Sequence, residues 1–213
     1  SRLNQKDILK NAPNLIKDDG AIVYSTCSID PEENTLMAEW FLKTFPDFKV
    51  DPAELCGVFA DFEQHKEYVP NMLESQIVGQ VGSEFEVSYV LSVPIVSDER
   101  YRILDIVTKT ELGYEISWTL VPGSATRTKS TKGFFRCESL REGTLAVYRN
   151  LVDPGLPKWV ARRLRGQATK TVEAMPSLVF EQLEKERESS PDILLNQIRV
   201  LRRVTEQMTQ PEK

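Results

Sequence analysis

The sequence predicts an α+β fold in which a curved antiparallel sheet wraps around a long C-terminal helix, with a helix–strand–helix appendage before it and an extra helix after it. Three observations carry this reading. Between Glu74 and Val152, short apolar runs are punctuated by Gly82-Ser83, Ser97-Asp98, Leu112-Gly113 and Glu142-Gly143. Spacing this short joins antiparallel neighbours through hairpins, because parallel strands need long crossovers. After the strands, Val160, Leu164, Ala168, Val172, Met175, Val179 and Leu183 recur at steps of three and four, which is the stripe of an amphipathic helix. A sheet with one apolar face needs a cover, and that stripe can supply it.

The elements follow in order. Ile8, Leu9, Ala12, Leu15 and Ile16 place a helix over 5–17, shortened or kinked by Pro13. Asp18-Asp19-Gly20 is a turn, and Ala21–Thr26 is a short buried-type strand. Asp30 caps a second helix, Pro31 fits its first position, and Glu32 and Glu33 suit its positive end. That helix carries Leu36, Met37, Trp40, Phe41 and Phe45 and stops near Pro46. Phe48–Val50 is a short strand, Pro52–Phe62 a helix with Leu55, Val58 and Phe59 apolar, and Glu63–Tyr68 a further helical turn ended by Pro70. Strands are expected at 74–81, 85–93, 100–109, 113–121, 131–139 and 143–152. In the second of these, Phe85, Val87, Tyr89, Leu91 and Val93 alternate with Glu86, Ser88 and Ser92. Asp153-Pro-Gly-Leu-Pro157 ends the sheet, and the long helix runs over 158–187 with Pro176 as a kink site. Ser189-Ser190-Pro191 breaks it. A last helix over 192–208 carries Leu194, Ile198, Leu201, Val204 and Met208 on one side.

Composition bounds the function. The chain has 213 residues, 40% hydrophobic and 28% charged, as expected of a soluble globular protein. A net charge of −5 argues against a broadly basic nucleic-acid surface. No apolar run approaches the ~18–20 residues of a membrane span, and no secretory signal is visible. The chain starts at Ser1 without Met, which leaves open the removal of an upstream segment. Cys27, Cys56 and Cys137 lie far apart and His65 is the single histidine. That pattern disfavours a zinc site and fits a reducing, cytoplasmic setting. Cys56 and Cys137 are read as small buried hydrophobes.

Residues 48–187 carry a family resemblance. Its segments are Val58-Phe-Ala-Asp-Phe-Glu-Gln-His-Lys-Glu-Tyr-Val-Pro-Asn71, Ser97-Asp-Glu-Arg-Tyr101, Tyr114-Glu-Ile-Ser-Trp118 and Val147-Tyr-Arg-Asn-Leu-Val-Asp-Pro-Gly155, with Pro157-Lys-Trp-Val160 opening the long helix. Together they resemble the START-like helix-grip superfamily, in particular its polyketide-cyclase/dehydrase and coenzyme-Q-binding branch. The resemblance implies binding or transport of a lipid, quinone or polyketide-like molecule between sheet and helix. A curved sheet closed by one helix leaves such a gap on physical grounds as well. The residues expected to line it are Tyr89, Leu91, Ile116, Trp118, Val147, Leu164 and Val172. No catalytic cluster is evident in this piece, so a non-enzymatic binder is expected, with no cofactor. His65 is read as a solvent-facing or capping residue in a turn, and Arg149 as an outward-facing strand arginine.

The run Ile22-Val-Tyr-Ser-Thr-Cys-Ser-Ile-Asp-Pro-Glu-Glu-Asn34 differs in character. It resembles the Thr-Cys motif of the Sun-family RNA cytosine-5 methyltransferases, a likeness covering residues 1–50. The resemblance implies Cys27 as the nucleophile that attacks carbon six of cytosine, with S-adenosylmethionine as cofactor and RNA as partner. The turn at Ser28–Pro31 puts Cys27 near a helix N-terminus, which lowers a thiol pKa. The glycine-rich cofactor turn and the Asp-Ala-Pro-Cys segment of that family have no counterpart in this chain, so Cys27 is expected to be inert here. Three units are therefore expected: a methyltransferase-like helix–strand–helix fragment over 1–47, a helix-grip domain over 48–188, and an amphipathic helix over 189–213. The abrupt junction at 46–54 suggests a fused or recombined chain. The last helix is expected to dock on the body or on a second copy; a protein-interaction role through 191–208, as partner site or homodimer contact, is the third functional alternative. The basic run Arg162-Arg-Leu-Arg165 is read as a solvated face.

Overall fold

Alternation along the strand region produces one sheet. The structure, a computed structural model, describes residues 2–15, 40, 44, 51–94, 96–140 and 143–206. Six strands lie in sequential order: β1 (Met72–Val81), β2 (Glu84–Leu91), β3 (Glu99–Lys109), β4 (Gly113–Leu120), β5 (Ser130–Leu140) and β6 (Gly143–Asp153). Every adjacent pair is antiparallel. The six expected strands are thus all present. Gly82, at φ +58, makes the tight β1–β2 turn, a conformation that costs glycine nothing sterically. Register shifts at Met72/Glu74 and Ile77/Gly79 bend β1 at the sheet edge.

Period two sorts the side chains. Phe85, Val87, Ile103, Val107, Ile116 and Phe135 are buried on the inner face, while the outer face carries Glu86–Arg102 and Glu115–Arg136 ion pairs, each at 2.5 Å. The latter joins residues directly opposite in the register.

The helices are α1 (Arg2–Asn11), α2 (Pro52–Ala60), α3 (His65–Tyr68), α4 (Lys158–Ser189) and α5 (Pro191–Glu206). Helix α1 ends earlier than the periodicity suggests, and Pro13 falls in a 3-10 turn, Ala12–Leu15. The expected strand 21–26, most of the helix 30–45 and the strand 48–50 lie outside the described residues, as does Cys27. Trp40 and Thr44 are helical, and the Lys6 ammonium sits 5.2 Å from the Trp40 ring centre.

Helix α2 starts at a capping box. The Asp51 carboxylate accepts from the Ala53 N–H at 2.7 Å, and the Asp51 N–H donates to Glu54 at 3.3 Å. The helix then buries Leu55, Val58 and Phe59 against the sheet. Its Glu54 also pairs with Arg187 of α4 at 2.6 Å, tying the two helices together.

The sequence assigns the cover of the sheet to one helix; three share it. Met175, Val179 and Leu183 of α4, Leu55, Val58 and Phe59 of α2, and Leu194, Leu201 and Val204 of α5 all join one core cluster. Helix α5 packs on α2 where Gly57 lacks a side chain; a Cβ there would lie 3.4 Å from the Gln197 backbone. Gln197 donates to the Asp61 carboxylate at 3.0 Å across the same contact. The amphipathic face of α5 is therefore docked within its own chain. Met208 lies outside the described residues. Helix α4 continues through Pro176, which is buried but supplies no N–H to the Val172 carbonyl.

Gly133 shows how tightly the inner face is built. It pairs with Trp118, and a Cβ at 133 would lie 2.0 Å from the Arg149 carbonyl oxygen and 2.6 Å from the indole. Gly133→Ala is expected to destabilise the protein by about 1–3 kcal/mol through overpacking, measured by urea unfolding. An unchanged midpoint would show that Trp118 does not need that space.

Candidate functional site

The candidate site lies on the inner face between the sheet and the N-terminal half of α4. Its apolar wall comes from alternation: Tyr89 and Leu91 on β2, Tyr101 on β3, Ile116 and Trp118 on β4, and Tyr148 on β6 all fall on that side. Tyr89, Ile116 and Trp118 are buried, whereas Leu91, Tyr101, Leu120 and Tyr148 keep part of their surface accessible. Opposite them, the stripe of α4 is incompletely seated. Val160 is buried, Leu164 and Val172 are half-buried and Ala168 is exposed; full burial resumes at Met175. Burial along the helix is thus continuous from its C-terminal half and only partial at Leu164 and Val172.

Of the seven residues expected to line a ligand space, Tyr89, Leu91, Ile116 and Trp118 share the inner face, and Leu164 and Val172 are half-buried on α4. Val147 is the exception. It pairs with Arg136, and Tyr148 pairs with Phe135, so Val147 faces outward and its neighbour faces in. The sequence Leu145-Ala-Val-Tyr-Arg-Asn-Leu-Val152 is apolar on both faces, which is why alternation alone selected the wrong one. Arg149 is exposed on the outer face, as expected.

The polar groups of this face were not legible as a set. His65, expected in solvent, is 6% exposed. Its Nε2–H donates to the Phe59 carbonyl at 2.7 Å, which leaves Nδ1 to accept the Tyr89 hydroxyl at 3.2 Å. Burial holds its pKa down at about 4, opposed by the Phe59 bond. Its ring lies 5.0 Å from Phe59 and 5.6 Å from Tyr68. The short helices α2 and α3 fold it inward because their connecting turn, Phe62–Gln64, buries Phe62 and bonds its carbonyl to the Ser75 hydroxyl of β1.

Asn150 accepts from the Trp118 indole N–H at 3.3 Å and from the Thr131 hydroxyl at 3.1 Å. Asp105 is 3% exposed, and its Oδ2 has no hydrogen-bond partner. Burial pushes its carboxyl well above the usual range. Burial also raises Tyr89, Tyr101 and Tyr148, with the field of Asp105 adding to each. Burial therefore favours the protonated, uncharged form of all four groups. A buried polar group without a partner costs about 1–3 kcal/mol, so Asp105 is a stability liability in the unliganded fold.

Cys56 and Cys137 are free and fully buried, as small hydrophobes are. No group of acidic, histidine or cysteine residues among the described ones could hold a metal ion. No helix among them is long and apolar enough to cross a membrane. Two hollows lie away from the 164–172 stretch of α4. One of about 490 Å³ lies between α2, α5 and β1–β3, lined in part by Gly57, Ile77, Phe85, Val107 and Leu201. The other, about 350 Å³, is lined mainly by outer-face residues such as Ile106, Phe134 and Arg149.

Comparison with solved structures defines the fold class of the body as START-like helix-grip. The STAR-related lipid transfer protein of Xanthomonas axonopodis superposes with a TM-score of 0.51 at 18% identity, over 65% of this chain and 80% of that one. The Zhui aromatase/cyclase of a Streptomyces species does so with 0.51 at 16% identity, over 66% and 91%. Human STARD10 gives 0.51 at 20%, over 68% and 64%.

The N-terminal segment has different relatives. Residues 2–76 match the protein-family model described as 16S rRNA methyltransferase RsmB/F. The ribosomal RNA small subunit methyltransferase B of Pasteurella multocida is 41% identical over 54 residues, which is 25% of this chain and 12% of that protein. The tRNA (cytosine(72)-C(5))-methyltransferase NSUN6 of Mus musculus is 42% identical over 50 residues, 24% of this chain and 10% of that one. The chain thus spans about a tenth of the length of the curated relatives it matches. Two resemblances coexist in one chain, and the methyltransferase match extends past the capping box of α2 into β1.

His65 gives the site a pH signature. The unfolded chain protonates it near 6.5, while the folded state keeps it neutral down to about 4. The unfolded state binds more protons in that window, so the contribution of His65 is complete above about 6.5 and is lost as pH falls toward 4. The full shift is worth about 3 kcal/mol. Urea unfolding between about pH 7 and pH 4 is expected to show a steeper loss for the native chain than for His65→Gln. Equal slopes would remove His65 as the source.

Proposed function

We propose that this chain binds an apolar small molecule, lipid, quinone or polyketide-like, between the inner face of the sheet and the open stretch of α4. The carrying observation is the interrupted seating of the long helix. Leu164 and Val172 stand half-buried, and Leu91, Tyr101, Leu120 and Tyr148 stand half-buried on the inner face of the sheet. Each large apolar side chain left short of burial forgoes part of the ~1.5–3 kcal/mol that full burial provides, and an apolar guest would recover it. The START-like fold supports this reading, since the neighbours include a lipid transfer protein and an aromatase/cyclase by name. The reading involves no catalytic residue and no cofactor. The unit boundaries that go with it are 1–47, 48–188 and 189–213, a cytoplasmic setting being the natural one for free, buried thiols.

Solvent extraction of purified protein followed by mass spectrometry is expected to recover an apolar compound. Leu164→Trp, which fills the open stretch from the helix side, is expected to lower its yield about tenfold while leaving the circular dichroism spectrum unchanged. Recovery unaffected by the substitution would move the ligand elsewhere, and an empty extract together with no binding of added hydrophobic probes would end the proposal.

A second reading has its own observation: the RsmB/F match over residues 2–76. Under it Cys27 would attack cytosine of an RNA, with S-adenosylmethionine as methyl donor. The residues present do not fit that cofactor. Residues 1–21 hold no glycine-rich strand-to-helix turn, and the described strands are all antiparallel, without the parallel crossover that cradles such a ligand. Calorimetry is expected to give no heat of binding for S-adenosylmethionine. Tritium transfer from the labelled cofactor to RNA, lost in Cys27→Ala, would establish the second reading instead.

A further inference from the structure

Asp105 is the group on the inner face that the fold does not explain. It sits on β3 between Ile103 and Val107, both buried, and opposite Phe85 and Trp118 in the register. Those neighbours are apolar or aromatic, and the alternation that buries them turns Asp105 the same way. No described cation forms an ion pair with it, and its Oδ2 is buried without a partner. Of the other buried polar groups nearby, His65 and Tyr89 bond each other and Trp118 and Thr131 share Asn150, while the Tyr68 hydroxyl is also without a partner. On either side stand phenols whose rings remain partly accessible. Tyr101 lies 5.7 Å from the Tyr89 ring, and Tyr148 lies 5.5 Å from that of Trp118.

We infer that Asp105, with the phenols of Tyr101 and Tyr148, anchors a neutral oxygen function of the ligand, a hydroxyl or a carbonyl. The inference rests on the reading that the inner face takes a small molecule, and it names the class: apolar molecules bearing such a group, in preference to bare hydrocarbons and to carboxylates. A buried carboxyl without a counter-ion is driven toward its protonated form, and that form and a phenol each donate one hydrogen bond and accept others, so either ligand group finds a complement. A hydrocarbon leaves the acid unsatisfied, and sites built around a polar group reject analogues that lack its partner. A carboxylate would enter with no cation to meet it, and an unpaired buried charge is strongly disfavoured.

The test uses the full chain and probes on one skeleton: naphthalene, 1-naphthol, 2-acetylnaphthalene, 1-naphthoate and 1-naphthylmethylamine, titrated calorimetrically. The naphthol and the ketone are expected to bind at least about tenfold more tightly than the hydrocarbon and the carboxylate. In Asp105→Leu, larger but of the same branched shape and without the oxygens, the preference is expected to fall below about twofold while naphthalene binding persists. Asp105→Asn keeps one donor and one acceptor and is expected to retain the preference. It also shows whether the position tolerates substitution, should the leucine variant fold poorly. Equal affinities across the set, a preference that survives Asp105→Leu, or tightest binding of the amine or the carboxylate would overturn the anchor and leave the binding site standing. Failure of every probe, naphthalene included, would instead remove the site itself and the anchor with it.

Discussion

Burial of the sheet's inner face beneath α2 is the interaction on which the rest of the body depends. Phe59 lies 4.5 Å from Phe135 and 6.0 Å from Trp118, ring centre to ring centre, and so spans β4 and β5. Aromatic contacts at these separations add to the area they bury. The same helix carries Glu54 to Arg187 of α4 and Gly57 to the backbone of α5. With α2 in place, α4 needs only its C-terminal half to complete the core. Its N-terminal half is released from that duty, and the exposed Trp159, 66% accessible, stands on the released portion.

This division of labour separates a packed region from an open one along a single face. Beneath α2, the residues Tyr114, Phe135 and Cys137 are buried. Elsewhere on the same face, the residues with partial access include the aromatic and polar Tyr101, Tyr148 and Asn150. Packing density holds the first region to one arrangement, and the polar network of His65, Tyr89, Asn150 and Trp118 fixes the rings that border the second. Preorganised walls of this kind lower the ordering cost of binding.

The sequence was most legible where periodicity and punctuation agreed. All six strands and both long helices follow from alternation, three- and four-residue steps, and Gly, Ser and Pro breaks. Legibility failed where a choice depended on a partner. Val147 and Tyr148 both suit a strand interior, and only pairing with Phe135 decides which faces inward. His65 looks like a turn residue until the Phe62 carbonyl meets Ser75 and folds the turn over the sheet. Asp105, set within Ile103-Leu-Asp-Ile106, carries no local mark of burial without a counter-ion. The Thr-Cys run showed the reverse: a specific motif in a segment that spans about a tenth of its relatives' length.

Pro176 has a mechanical consequence. Without its N–H, the turn joining the two halves of α4 lacks one rung, the one that would reach Val172. The missing rung reduces bending stiffness there, at the boundary between the anchored half and the loosely seated half. Rotation about this point would swing Leu164 and Val172 away from the β-surface while Met175, Val179 and Leu183 kept their seats. The proline thus sits where a door would need its pivot.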